Sequence, residues 1–206
     1  MKTALSLALF CFLSSAVTAD TFAFGRNFQQ RIPAAGDGHA AMDPVYLTVD
    51  DHFIFHNLQV RLDIRHTAVS DLEIVLVAPW GEQALLKEYW VAWREIPQDL
   101  RGTIFDDQAP ISLTAGAPPF TGTFQSEDGK LGKMAGHDAA GLWELRIYDA
   151  IYQNAGALER WDLIFSVPEP GGLFWLAGWY LLRRSRRRSH RRVSSSASVF
   201  TPPPMK

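Results

Sequence analysis

The feature that most limits what this chain can fold into is an alternation of apolar and polar residues with period two. Leu58, Val60, Leu62 and Ile64 fall on one side of an extended segment, and Gln59, Arg61, Asp63 and Arg65 on the other. That spacing describes a strand with one buried face. Residues 71–77 repeat it, with Leu72, Ile74 and Leu76 inward, and Pro79 and Gly81 mark a turn at its end. Trp143, Leu145 and Ile147 alternate with Glu144, Arg146 and Tyr148. Trp161, Leu163 and Phe165 alternate with Arg160, Asp162 and Ser166, with Ile164 the one apolar exception on the outer face. Val45–Val49 and Gln83–Lys87 are shorter candidates. No long segment carries a helical period. Residues 91–100 come nearest, and Pro97 interrupts them. Residues 106–141, rich in Gly, Pro, Ser and Thr, read as a long loop or short edge strands. Many short strands without helices call for two packed sheets, an all-β sandwich or jelly roll in a single domain.

Both ends of the chain read as addresses. Met1 and Lys2 precede an uncharged apolar run, and Val17-Thr18-Ala19 suits cleavage before Asp20, so residues 1–19 are expected to be a secretory signal. The only cysteine, Cys11, lies inside that signal. The exported chain would have no disulfide, thiolate nucleophile or cysteine metal site, and must be held by its core. Residues 20–170 contain all 22 acidic residues and 11 of the basic ones, a net charge of −11. Such an acidic body excludes nucleic acid as a partner, because phosphate binding needs positive charge. It is compatible with divalent cations.

The other end runs from Val167-Pro168-Glu169-Pro170 through the uncharged residues 171–182 (GGLFWLAGWYLL) to the arginine-rich residues 183–192. An apolar stretch followed by arginines is a membrane stop with its positive side in the cytoplasm. As a helix the stretch would reach only about 18 Å, short of a hydrocarbon core of about 30 Å. The order of motif, apolar segment and arginine cluster resembles the PEP-CTERM sorting signal. That resemblance implies an exosortase-like processing enzyme acting near residues 167–170, with transient membrane anchoring before release to the cell surface. The short apolar stretch and the Ser- and Pro-rich residues 193–206, expected to be disordered, depart from that pattern. The organisation expected is therefore a signal at 1–19, a sandwich at 20–166, a sorting tail at 167–192 and an extension at 193–206.

Five segments of the body, in order, resemble the P domain (Homo B) of proprotein convertases. They are Arg65-His66-Thr67-Ala68-Val69-Ser70-Asp71-Leu72-Glu73-Ile74 leading to Ala78-Pro79-Trp80-Gly81; Thr103-Ile104-Phe105-Asp106-Asp107; Ala117-Pro118-Pro119-Phe120-Thr121-Gly122; Gly141-Leu142-Trp143-Glu144-Leu145 with Asp149; and Gly156-Ala157-Leu158-Glu159-Arg160-Trp161. The resemblance implies a jelly-roll β-sandwich of galactose-binding-like type over about 22–166. In that family the domain follows a subtilisin-like protease. Here neither a Gly-Thr-Ser segment nor a Gly-x-Ser-x-Gly elbow occurs, so protease activity is not implied with the fold.

Candidate chemistry is acidic. Asp71 opens one strand, Asp149 closes another, and Asp106-Asp107 sits at a turn. If the first two strands are antiparallel neighbours, Asp71 and Asp149 share an edge of the sandwich. Carboxylates gathered there with loop carbonyls would suit calcium, a hard cation wanting several oxygens; the bland alternative is turn capping. The six histidines show no metal-ligand spacing, and His66 with Thr67 suits turn hydrogen bonds. Trp80, Trp90 and Trp93 are candidate surface aromatics for polysaccharide or a surface protein, or else plugs of the core or a sheet edge, whereas Trp143 and Trp161 fall on inward positions. The expectation is an exported binding or structural module without catalysis. The alternative is an accessory domain of a separately encoded subtilisin-like protease.

Overall fold

A computed structural model describes residues 20–36, 38–90, 97–151 and 154–167. The expected signal segment, Trp93, Pro168, Glu169, Pro170 and the tail beyond them lie outside the described residues. The unit Thr18–Pro168 is an all-β sandwich. Its strands are β1 (Asp20–Ile32), β2 (Ala40–Ala41), β3 (Val45–Val49), β4 (Asn57–His66), β5 (Leu72–Val77), β6 (Gln83–Lys87), β7 (Leu100–Phe105), β8 (Phe120–Phe124), β9 (Gly141–Asp149) and β10 (Gly156–Val167). One five-stranded sheet runs β1-β10-β4-β7-β8; the other runs β2-β9-β5-β6, with β3 also on β9. Every pairing is antiparallel except β7 with β8.

The alternation in the sequence becomes the core. Leu58, Val60, Leu62 and Ile64 of β4, Leu72, Ile74 and Leu76 of β5, Trp143, Leu145 and Ile147 of β9, and Trp161, Leu163 and Phe165 of β10 all have no exposed surface. Aromatic rings continue this core to the surface at one end. Trp80 packs edge-on against Trp143 at 5.4 Å, Trp143 against Phe165 at 5.5 Å, Phe165 against Phe53 at 5.5 Å, and Phe53 stacks on Phe22 at 5.0 Å. Offset and edge-to-face pairs at these separations add to the burial they bring.

Register fixes which residues share an end. Asp20 pairs with Val167, Asn57 with Ser166, and Val49 with Gly141. These residues form the tail end, where β10 gives way to the C-terminal segment. At the far end Gly156 pairs with both Ile32 and His66, and Leu72 pairs with Asp149. Gly156 belongs to one of the family-like motifs for a steric reason. A Cβ there would lie 2.2 Å from the Arg65 carbonyl oxygen and 2.5 Å from a ring carbon of His66.

Candidate functional site

The four aspartates do not gather at one place. β5 and β9 are antiparallel neighbours with Leu72 opposite Asp149, which brings Asp71 and Asp149 together at the far end. β7 runs the other way along β4, with Leu100 opposite Ile64 and Phe105 opposite Val60, so Asp106 and Asp107 emerge at the tail end. The seven-residue span from Gln59, which binds Asp106, to His66 separates the two pairs by roughly 23 Å. Among the described residues no group of three or more His, Cys, Asp or Glu side chains is placed to hold a metal.

Each aspartate accepts hydrogen bonds from its own surroundings. Asp106 takes the Gln59 amide at 2.6 Å and the Gln108 N–H at 2.9 Å, so it closes its own turn. Asp107 accepts from Ser126 Oγ and from the Gly132 N–H, tying the 3-10 turn at Gly132–Met134 to the end of β7. Asp71 accepts from Ser70 Oγ at 3.0 Å and Asn154 Nδ2 at 2.6 Å. Asp149 Oδ1 takes the Ile151 N–H at 3.1 Å. Its Oδ2 is buried without a hydrogen-bond partner and faces His66 Nε2 at 3.4 Å, also without one.

His66 turns inward from the last position of β4. Its Nδ1 lies 3.1 Å from the Ala68 N–H and 2.9 Å from the Ala68 carbonyl, so either tautomer finds a partner on that side. Thr67 donates to Asn154 Oδ1 at 3.0 Å. The turn-bonding role suggested for His66 and Thr67 is therefore visible in the contacts. Burial pushes the Asp149 carboxyl above the usual range, and the charge of Asp71 adds to that. A carboxylate raised in the fold costs stability above its unfolded pKa. Asp149→Asn is thus expected to hold or raise the thermal midpoint at pH 7. It keeps the acceptor for Ile151, and its amide can donate to His66 in the Nδ1–H tautomer. Asp149→Ala, which strands the Ile151 N–H, should lose about 1–3 kcal/mol. Thermal unfolding followed by circular dichroism distinguishes them; equal losses in both variants would show that burial of the charge is not what Asp149 contributes.

Lys87, which the sequence did not mark, belongs to the same far end. Its side chain is 1% exposed and its Nζ donates to the carbonyls of Leu72, Glu88 and Ser70 at 2.5, 2.9 and 3.4 Å. The Trp90 ring lies over it, with the centroid at 3.9 Å. Burial pushes its pKa down to about 7, against the pull of Asp71, Glu127, Glu73 and Glu88. Trp90 is half-buried, covering Lys87 and meeting Phe120 edge-on at 6.4 Å. Its position is that of a lid on the core, the second of the two readings the sequence offers for it.

Trp80 does reach the surface. It lies in the β5–β6 turn, closed by the Gly81 N–H bonding the Ala78 carbonyl at 2.9 Å, and its Nε1 donates to Glu82. His137 stacks on it at 4.4 Å with the rings 12° from parallel. Nearby, His52 and Asp138 form an exposed ion pair at 2.7 Å, which raises the His52 pKa. The tail end also carries Ile54, Leu142, Phe22 and Trp80 with 55%, 53%, 42% and 36% exposure.

A family description covers part of this structure. It is the proprotein convertase P-domain, matching residues 55–99. That P-domain match spans β4, the Val69–Asp71 turn, β5 and β6, and so includes His66, Asp71, Trp80 and Lys87. The crystal structure of the Aeromonas sobria serine protease in complex with its chaperone is similar to this chain at 16% identity and a TM-score of 0.43, over 73% of this chain and 27% of that one. The crystal structure of the serine protease of Aeromonas sobria gives 16% identity and 0.43 over 75% and 28%. The chain thus spans little more than a quarter of the length of those proteins. Among curated proteins none matches it.

Proposed function

We propose that this chain is an exported, non-catalytic P-domain-like module that works by binding, with the tail-end aromatic surface as its contact face. The observation that carries this reading is the stacked Trp80–His137 pair at the same end of the sandwich as exposed Ile54, Leu142 and Phe22. Exposed aromatic and aliphatic side chains grouped on one end are what a contact surface needs. Of the family-like motifs, Asp71, Asp106, Asp149, Trp143 and Trp161 are occupied in turns and core, which supports a structural role for them, whereas Trp80 and Leu142 stand at the surface. The partner is an extracellular polysaccharide or a surface protein. The tail, with processing by an exosortase-like enzyme near Val167-Pro168-Glu169-Pro170, places the module at the cell surface after transient membrane anchoring.

The test is sedimentation of purified residues 20–167 with the extracellular matrix fraction of the producing cells. Trp80→Ala and His137→Ala are expected to weaken binding by about tenfold or more, the loss typical of removing a central aromatic anchor. Binding that survives both substitutions unchanged would remove this surface from consideration. The P-domain match supports a second reading, in which the module attends a separately encoded subtilisin-like serine protease. Mixing the domain with the secreted proteases of the same cells and measuring their thermal inactivation checks it. A longer protease half-life supports it, and an unaltered one counts against it.

A further inference from the structure

β6 ends in an irregularity that places a charge in the interior. Lys87 pairs with Ile74, but the next pair is Leu85 with Val75, so Leu86 is an extra residue on β6. The bulge turns two consecutive side chains inward: Leu86 and Lys87 are each 1% exposed. The strict alternation of Ala84 and Leu86 would instead have sent Glu88 in and Lys87 out. The backbone thus departs from regular pairing at the one point where it delivers an ammonium group to the core.

The group is received by a matched set of acceptors. An ammonium has three N–H donors and no acceptor, and here the carbonyls of Leu72, Glu88 and Ser70 stand around it at 2.5, 2.9 and 3.4 Å. The Trp90 face closes another side at 3.9 Å. Aromatic faces attract cations most strongly where water is excluded. Among the described residues no carboxylate forms an ion pair or hydrogen bond with the nitrogen; Asp71, Glu127, Glu73 and Glu88 supply a negative field from further off. Neutral carbonyl oxygens with a π face suit ammonium or an alkali ion, whereas calcium takes six to eight oxygens that usually include carboxylates. The acceptors come from separate pieces of chain, the turn before β5, the start of β5 and the segment after β6. Trp90 is also anchored there by its N–H to the Ser70 carbonyl at 2.8 Å.

We propose that the far end of the sandwich contains a monovalent-cation seat whose resident cation is the chain's own Lys87. The tethered ammonium joins the start of β5 to the segment following β6 and holds Trp90 over the core. Emptied of its lysine, the seat accepts a free alkylammonium.

The full chain carrying Lys87→Ala tests this at pH 6, where the lysine of the wild type is protonated. Propylammonium supplies the three carbons and the nitrogen that the substitution removes. 1-Propanol has the same length without charge, and tetramethylammonium has the charge without the shape. At saturation, propylammonium should raise the midpoint of Lys87→Ala by roughly 3 °C or more and leave the wild type unmoved. The two controls should do neither. Equal rescue by 1-propanol, or an equal response of the wild type, overturns the proposal. Nitrogen-15 spectra of the wild type provide a readout that does not depend on the alanine variant folding. One lysine ammonium resonance should resist solvent exchange and vanish in Lys87→Met, which fills the same volume. A wild type without such a resonance, or one that keeps it in Lys87→Met, equally overturns the assignment.

Discussion

Replacing Trp143 by alanine should cost about 3–5 kcal/mol, the range found for deleting a large buried aromatic, and leave a domain of ordinary stability barely folded. Trp143 has no exposed surface, meets Phe165, Phe55 and Trp80 with its ring, and donates its Nε1–H to the Ala139 carbonyl at 2.9 Å. Alanine removes all of these and leaves a cavity between the sheets. Trp143→Phe should recover most of the loss, failing by about 1–3 kcal/mol for the carbonyl left without its donor. Trp80→Ala, at the exposed end of the same row of rings, should cost about 1 kcal/mol. Denaturant midpoints of the three variants give the ordering. A midpoint for Trp143→Ala no lower than that of Trp80→Ala would show that the aromatic row does not carry the core. Because Trp143 supports the underside of Trp80, Trp143→Ala should also weaken binding at the tail end under conditions where it remains folded.

Much of the fold was legible because burial on one face writes itself into sequence as period two. Strands β4, β5, β9 and β10 are the clearest cases, and their inward residues are the core. β3 and β6 also stand where the shorter alternations place them. β1 was not legible. It is an edge strand, exposed along most of its length, with a register shift between Asn27 and Gln30 that breaks its period. β7 was visible only through its family-like motif, since Arg101 and Gly102 interrupt its apolar residues. The pairing of Asp71 with Asp149 followed from strand polarity, whereas the position of Asp106 and Asp107 needed the direction of β7 relative to β4. Trp80 and Trp90 had the same appearance in sequence, yet only the structure separates a turn residue at the surface from a ring covering a buried lysine. The inward Lys87 follows from a bulge, and a bulge has no compositional signature of its own.

That lysine should also govern how stability responds to alkaline pH. Burial lowers its folded pKa to about 7 from the ordinary 10.5. Between those values the unfolded chain keeps a proton that the folded chain has released, so stability rises with pH across the window. Each unit of difference in pKa corresponds to about 1.4 kcal/mol, giving a gain of several kcal/mol between pH 6 and pH 10. Lys87→Met has no proton to release there, and its denaturant midpoint should lack the rise. If wild type and Lys87→Met rise in parallel between pH 6 and pH 10, another group titrates in that window and the buried lysine is held charged throughout.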